Sequence, residues 1–213
     1  MERSQAVIRR DAPTMVVWDL GGVLAPPGRA LTALADALDM PESDFAPAYW
    51  AHRDAYDLGG APEEYWHGVA AGLGRSLDAE WVERLDRIDT ECWAVLAPEA
   101  DRLLARLAAR GTPLGVLSNA PTTLATAVRR ASWSLRFDKL VFSADVGLAK
   151  PDARIYETAD ARLGRAAAAS GIVFFDDRPE NVEAARAHGW RAHVWTGGEA
   201  AVAALRQEGV LDD

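Results

Sequence analysis

Four short apolar runs, each ending in polar residues, do most to constrain how this chain folds. They are "TMVVWD" (14–19), "PLGVLSN" (113–119), "KLVFSA" (139–144) and "IVFFDD" (172–177), strand-length and rich in β-branched and aromatic residues. A fifth, "RAHVW" (191–195), follows later. From Pro98 onward these runs alternate with helix-like segments: "PEADRLLARLAARG", "PTTLATAVRRA", "ARIYETADARLG" and "PENVEAARAHG". Strands alternating with helices of that length predict βαβ units and a parallel sheet, a Rossmann-like α/β fold.

Between the first and second runs the pattern stays helical. "ALTALADAL", "DFAPAYWAHRDAY", "PEEYWHGVAAGL" and "DAEWVERLDRIDTECWAVL" are separated by Pro or Gly and carry apolar residues at three- and four-residue steps. The expected organisation is therefore a core of residues 1–24 and 98–213, with a helical cap subdomain of residues 25–97 inserted after the first strand. The alanine-rich "RAAAAS" (165–170) reads as a helix end or a loop.

Composition narrows the function classes. With 49% apolar and 26% charged residues the chain can fill a sizeable core. A net charge of −9 argues against a nucleic-acid partner, which calls for a basic stripe. The single Cys92 excludes an intramolecular disulfide and a cysteine-rich zinc site. No apolar run reaches bilayer-spanning length, and "MERSQAVIRRDAPT" lacks the apolar stretch of a secretory signal, so the expectation is a cytoplasmic protein without a membrane partner.

Polar residues at the strand ends carry the chemistry. The first strand ends at Asp19 and the second at Ser118-Asn119; the third leads through "SADVGLAKP" to Lys150, and the fourth ends at Asp176-Asp177. Ligands of open parallel sheets bind at the carboxyl ends of the strands, so these clusters should converge. Carboxylates, a lysine and a hydroxyl together suit a phosphate ester and a divalent cation: the cations neutralise phosphoryl oxygens while a carboxylate attacks phosphorus.

In order and spacing, "DLGGVL", "VLSN", Lys150 in "GLAKPDARIY" and "VFFDDRPENVEAA" resemble the four motifs of the haloacid dehalogenase-like (HAD) hydrolase superfamily. The resemblance is to its branch with a helical cap after the first strand, and is strongest to small-molecule phosphatases such as bacterial α-D-glucose-1-phosphate phosphatase and the N-terminal phosphatase domain of soluble epoxide hydrolase. It implies a phosphatase of small phosphorylated metabolites, such as a sugar phosphate. Asp19 would be the nucleophile that forms an aspartyl-phosphate. Mg²⁺ would be held by Asp19, Asp177 and the Gly21 carbonyl, with Asp176 supporting it directly or through water. Ser118, the Asn119 backbone and Lys150 would hold phosphate oxygens, Lys150 also offsetting charge near Asp19.

One position departs from the family's commoner pattern. Many members carry a second Asp two residues after the nucleophile, as general acid and base; here that place is Gly21. A 2-haloacid dehalogenase, a branch that also lacks this Asp, is the first alternative. A phosphomutase relies on the missing acid, and a non-catalytic phosphate-binding protein of the same fold is the remaining reading. In the insertion, His52, Arg53, Tyr56 and Asp57 stand beside a Gly-Gly turn, where family caps read the substrate; a solvated helix face is the alternative. His67, His188 and His193 are expected to be structural, and the tryptophans to be mostly core.

Overall fold

The computed structural model describes residues 13–26, 28–164 and 171–212. The alanine-rich segment 165–170 and the first twelve residues lie outside the described residues. Five strands, β1 (Met15–Trp18), β2 (Leu114–Ser118), β3 (Lys139–Phe142), β4 (Ile172–Asp176) and β5 (Arg191–Val194), pair in parallel in the order β3-β2-β1-β4-β5. The chain builds outward from β1 through β2 to β3, then returns to the other side of β1 for β4 and β5. The order reverses at β1, and the crevice at its carboxyl end is where such sheets bind ligands.

Alternation of side chains explains why the central strands read as unbroken apolar runs. Val16, Trp18, Val116, Val173 and Phe175 face one apolar cluster, whereas Met15, Val17, Leu117, Ile172 and Phe174 face another. The second cluster is closed by α9 (Ala153–Leu163) and α10 (Pro179–His188), which contribute Ile155, Tyr156, Leu163 and Val182. Gly115 permits that closeness, because a Cβ there would meet Leu163 at 3.0 Å and Val17 at 3.3 Å.

The first cluster continues from the sheet into helices inserted between β1 and β2. These are α1 (Gly28–Ala37), α2 (Glu42–Ala51), α3 (Arg53–Asp57), α4 (Pro62–Gly72) and α5 (Ala79–Trp93), followed by α6 (Pro98–Ala109). Their apolar stripes, including Leu34, Phe45, Tyr65, Trp66 and Leu85, pack on one another and on the sheet side. Asp78 starts α5 by accepting from the Trp81 amide. The single helix expected over residues 44–56 is two, because the backbone at His52 (φ −117°, ψ 6°) leaves the helical path. The remaining helices are α7 (Thr122–Arg130), the short α8 (Ser143–Val146), and α11 (Gly198–Gln207), with a 3₁₀ turn at Ser132–Arg136. Among the described residues, no helix is long and apolar enough to cross a membrane.

Candidate active site

Asp19 follows β1 directly, its amide donating to the Phe175 carbonyl of β4 at 2.9 Å. Its Oδ1 accepts from the Leu20 amide at 2.7 Å and from Lys150 Nζ at 2.9 Å, and the Ser118 hydroxyl supports the same carboxylate. Burial pushes this carboxyl up to about 7; Lys150 opposes the shift and Asp176 adds to it. Burial alone would lower the Lys150 ammonium, but Asp19 and Asp176 beside it raise it, and it stays charged.

Lys150 was expected to hold phosphate oxygens and to offset charge near Asp19. Its ammonium donates to Asp176 Oδ2 at 2.6 Å and to the Leu117 carbonyl at 2.9 Å, and forms an ion pair with Asp19 Oδ1 at 2.9 Å. Its part in this structure is to hold charge beside Asp19. Asn119 fixes it there, its side chain accepting from the Lys150 amide at 2.8 Å and donating to the Lys150 carbonyl at 2.9 Å. The Asn119 side chain is thus committed to Lys150. Ser118, 2% exposed, and Asn119 both line the cavity over the strand ends.

Asp19, Asp176 and Asp177 bring one carboxylate oxygen each to within 4.8 Å of one another. They are not equivalent. Asp176 is fully buried, with Oδ2 on Lys150 and Oδ1 accepting from the Arg178 amide and from Asn181 Nδ2, each at 2.9 Å. Both its oxygens are occupied, so of its two expected roles the indirect one fits this geometry. Asp177 is open to the cavity, and burial together with Asp176 raises its carboxyl above the ordinary range. Among the described residues no cation pairs with it: Arg178, also at the cavity, pairs with Glu180. The loop after Asp19 closes through Gly22 N–Ala25 O and Ala25 N–Leu20 O bonds, and the Gly21 carbonyl takes no part in them. Asp19 and Asp177 thus offer carboxylate oxygens at a spacing that fits a hard divalent cation, and the Gly21 carbonyl beside them is not spent on the loop.

A cavity of about 640 Å³ opens over these groups, walled by Leu20, Trp50, Leu58, Trp93 and Leu124 as well as by polar residues. Trp93, at the end of α5, stands beside Gly21, the position of the missing acid. A Cβ on Gly21 would lie 3.4 Å from its indole ring, and the Tyr49 hydroxyl accepts from its Nε1 at 2.9 Å. The reading of the tryptophans as core holds for Trp18, stacked on Phe175 at 4.7 Å, and for Trp66; Trp93 is buried in the same core and also lines the cavity, whereas Trp50 is exposed at it.

The insertion residues divide. Arg53 lines the cavity yet is only 6% exposed, with Nε on Asp57 at 2.8 Å and a terminal nitrogen on Asp89 at 3.0 Å. Its guanidinium also lies over the rings of Tyr49, Tyr56 and Tyr65, 5.2 to 5.8 Å from their centroids. His52 does not join it. Its exposed ring packs against Gly68 of α4, outside the cavity, because neighbouring residues at a helix start point about 100° apart. His188 and His193 pair with Asp160 and Glu208, each at 2.7 Å, away from the cavity.

Sequence reasoning missed Asn181, Asp89 and Trp93. Asn181 is 1% exposed and lines the cavity, and its Oδ1 has no hydrogen-bond partner among the described residues. Its place, five residues after Asp176 on the first turn of α10, was the available signal.

Comparison with known proteins agrees with this architecture. Over 107 residues the chain is 36% identical to an (S)-2-haloacid dehalogenase of Pseudomonas putida, a match covering 49% of this chain and 45% of that one. It is 32% identical over 128 residues to Phosphatase MT3486 of Mycobacterium tuberculosis, covering 58% of each. The chain thus spans about half the length of the curated relatives it matches. The L-2-haloacid dehalogenase structure from Xanthobacter autotrophicus superposes with a TM-score of 0.71 at 16% identity, over 94% of this chain and 85% of that one. The HAD family enzyme bt-2542 of Bacteroides thetaiotaomicron, in complex with magnesium and inorganic phosphate, gives 0.63 at 18% identity, over 88% and 96%. At such identities these likenesses speak for the fold alone. Residues 14–189 match the family described as "Hydrolase: haloacid dehalogenase-like hydrolase", a span that holds all four strand-end clusters, and the chain belongs to that family.

Proposed function

We propose that the protein is a Mg²⁺-dependent phosphatase that hydrolyses a small phosphorylated metabolite through an aspartyl-phosphate on Asp19. The observation that carries this reading is a charge imbalance. Three carboxylates meet one ammonium, and Asp177 has no cation among the described residues. Buried or half-buried carboxylates at that spacing are costly unless a cation joins them. Mg²⁺, when held by Asp19, Asp177 and the Gly21 carbonyl, supplies the charge that draws in a phosphoryl group and lowers the Asp19 carboxyl from its raised position. Asp19 then attacks phosphorus, Ser118 donates to a phosphoryl oxygen, and Asp176 and Asn119 keep Lys150 against the nucleophile.

The test is hydrolysis of 4-nitrophenyl phosphate with added Mg²⁺ and after stripping with EDTA. Activity is expected only with the metal; equal rates in both would sink the assignment. A second prediction concerns Gly22. It sits at φ +75°, and a Cβ there would lie 2.3 Å from Asp177 Oδ2. Gly22→Ala must push Asp177 aside, so the Mg²⁺ concentration for half-maximal activity should rise on the order of tenfold or more, the scale on which displaced metal-site partners act. An unchanged Mg²⁺ titration would remove Asp177 from the metal site.

The alternative is a 2-haloacid dehalogenase, in which Asp19 attacks carbon and a halide leaves. Gly21 favours it, since a halide needs no proton and residue 21 has no acid to give one. The charges oppose it. A haloacid carries a carboxylate, while Arg53 in the upper cavity is already paired with two, and Asp54 lines the same wall. Halide release from 2-chloropropionate in EDTA is its signature.

A further inference from the structure

The upper wall of the cavity bears on the leaving group, and the inference drawn from it rests on the phosphatase reading. Trp50, Leu58, Trp93 and Leu124 line it. Trp50 is 48% exposed and Leu58 42%, so two of the chain's large apolar side chains stand open at one cavity mouth rather than scattered. Apolar surface left open together marks a place where something apolar binds. Trp50 is held edge-on by Tyr49, with ring centroids 4.7 Å apart, and Trp93 by the Tyr49 hydroxyl, so both indoles are anchored by the same residue.

Charge and proton supply narrow the class further. Arg53 is matched by Asp57 and Asp89, and Asp54 adds another carboxylate to the wall. The region is therefore net negative and repels a second acidic group on the substrate. Beside the nucleophile, residue 21 is a glycine with no carboxyl to give a proton, and the Trp93 indole lies in van der Waals reach, 3.4 Å from where a Cβ would stand. A simple alkoxide leaves slowly without a proton donor, whereas a phenolate, like the tyrosine side chain with its pKa of about 10, leaves unaided far more readily.

From these features together we infer that the substrate is an aryl phosphate monoester, its uncharged aromatic ring stacked in the Trp50–Trp93 wall. Asp19 forms its bond to phosphorus as the phosphorus–aryl oxygen bond breaks. The electron pair departs on the phenolate, which takes a proton from water. A water then attacks the aspartyl-phosphate, releasing inorganic phosphate and returning the Asp19 carboxylate. The cavity's size suits a one- or two-ring leaving group.

The experiment compares phenyl phosphate, acetyl phosphate and a hexose 6-phosphate in the wild type and in Trp50→Ala, with Mg²⁺ present. Acetyl phosphate has a good leaving group without a ring, which separates leaving ability from stacking. The wild type should favour phenyl phosphate over the hexose phosphate by kcat/KM. Trp50→Ala should lower kcat/KM for phenyl phosphate several-fold, up to ~10-fold, relative to acetyl phosphate, the scale of one lost aromatic contact. Binding of phenylphosphonate and methylphosphonate to the Mg²⁺-loaded wild type, by calorimetry, gives a readout free of turnover; the phenyl compound should bind tighter. A preference for the hexose phosphate, equal losses on phenyl and acetyl phosphate, or equal phosphonate affinities would overturn the inference while leaving a phosphatase in place. Failure to turn over any of the three phosphates would overturn the phosphatase reading with it.

Discussion

Asp19→Asn is expected to remove phosphatase turnover and, in the same protein, to raise the stability of the metal-free fold. The loss should be on the order of 10⁴-fold or more, the scale on which deleting a nucleophile acts in other hydrolases. The gain follows from the site's charges. Asp19 is 7% exposed, and burial holds its carboxyl at about 7 against an ordinary 3.8. Between those values the folded state keeps a proton that the unfolded chain has released. Stability from this group is therefore full below pH 3.8 and is lost as pH rises through 7, so at pH 8 the whole penalty is present. Asn removes the charge yet keeps an Oδ1 to accept from Leu20 and Lys150, while Asp176 still balances the ammonium. Thermal unfolding in EDTA should show the variant several degrees more stable than wild type at pH 8, with a smaller difference at pH 5. Added Mg²⁺ should narrow the gap at pH 8 by stabilising the wild type more. A variant less stable than wild type at pH 8 would show that Asp19 is not held ionised against its surroundings.

Arg53→Ala should have the largest effect on folding. It strands Asp89, 1% exposed, and Asp57 without their counter-charge, and takes from Tyr49 the donor that helps fix Trp93. Breaking a buried pair from one side costs about 3–5 kcal/mol, against which a surface arginine would lose almost nothing. In a chain of this size the melting temperature should drop on the order of ten degrees. Asp89→Ala alone should also destabilise, and the double variant should lose less than the two added together, since the remaining partner is no longer stranded. An Arg53→Ala protein that melts like wild type would mean that the guanidinium is free to read substrate, as its place beside the Gly-Gly turn suggests from sequence alone.

The contrast between those two residues shows what a sequence can make legible. β1, β2 and β4 were readable because strands buried on both faces leave unbroken apolar runs, and α9 and α10 because Gly164 and Gly189 end them in left-handed turns. Asp19 and Asp176-Asp177 were readable because they stand at strand ends, and Lys150 because it stands before Pro151 in the connection that leads away from β3. What hides is partnership. Arg53 and Asp89 are 36 residues apart, and Trp93 and Tyr49 are 44 apart, so no periodicity announces them. The occupied state of Lys150 needed the Leu117 carbonyl and Asp176 in space, and the break at His52 turns one residue of a promising cluster outward. The helix α11 was legible, as a run of helix formers from Glu199 to Glu208 ahead of Gly209, but was not read; the indole beside Gly21 carried no local signal. The missing acid was visible as a glycine; the indole beside it was not.

Where the bond to Asp19 forms decides between phosphorus and carbon chemistry. The most direct measurement is mass spectrometry of the peptide carrying Asp19, after acid quench of the Mg²⁺-loaded protein mixed with 4-nitrophenyl phosphate and, separately, with 2-chloropropionate. A phosphoryl group on Asp19 from the first reagent, absent in EDTA and in Asp19→Asn, is the expected result. An unmodified Asp19 during phosphate turnover, or a 1-carboxyethyl ester on it from the second reagent with chloride released, would contradict the account.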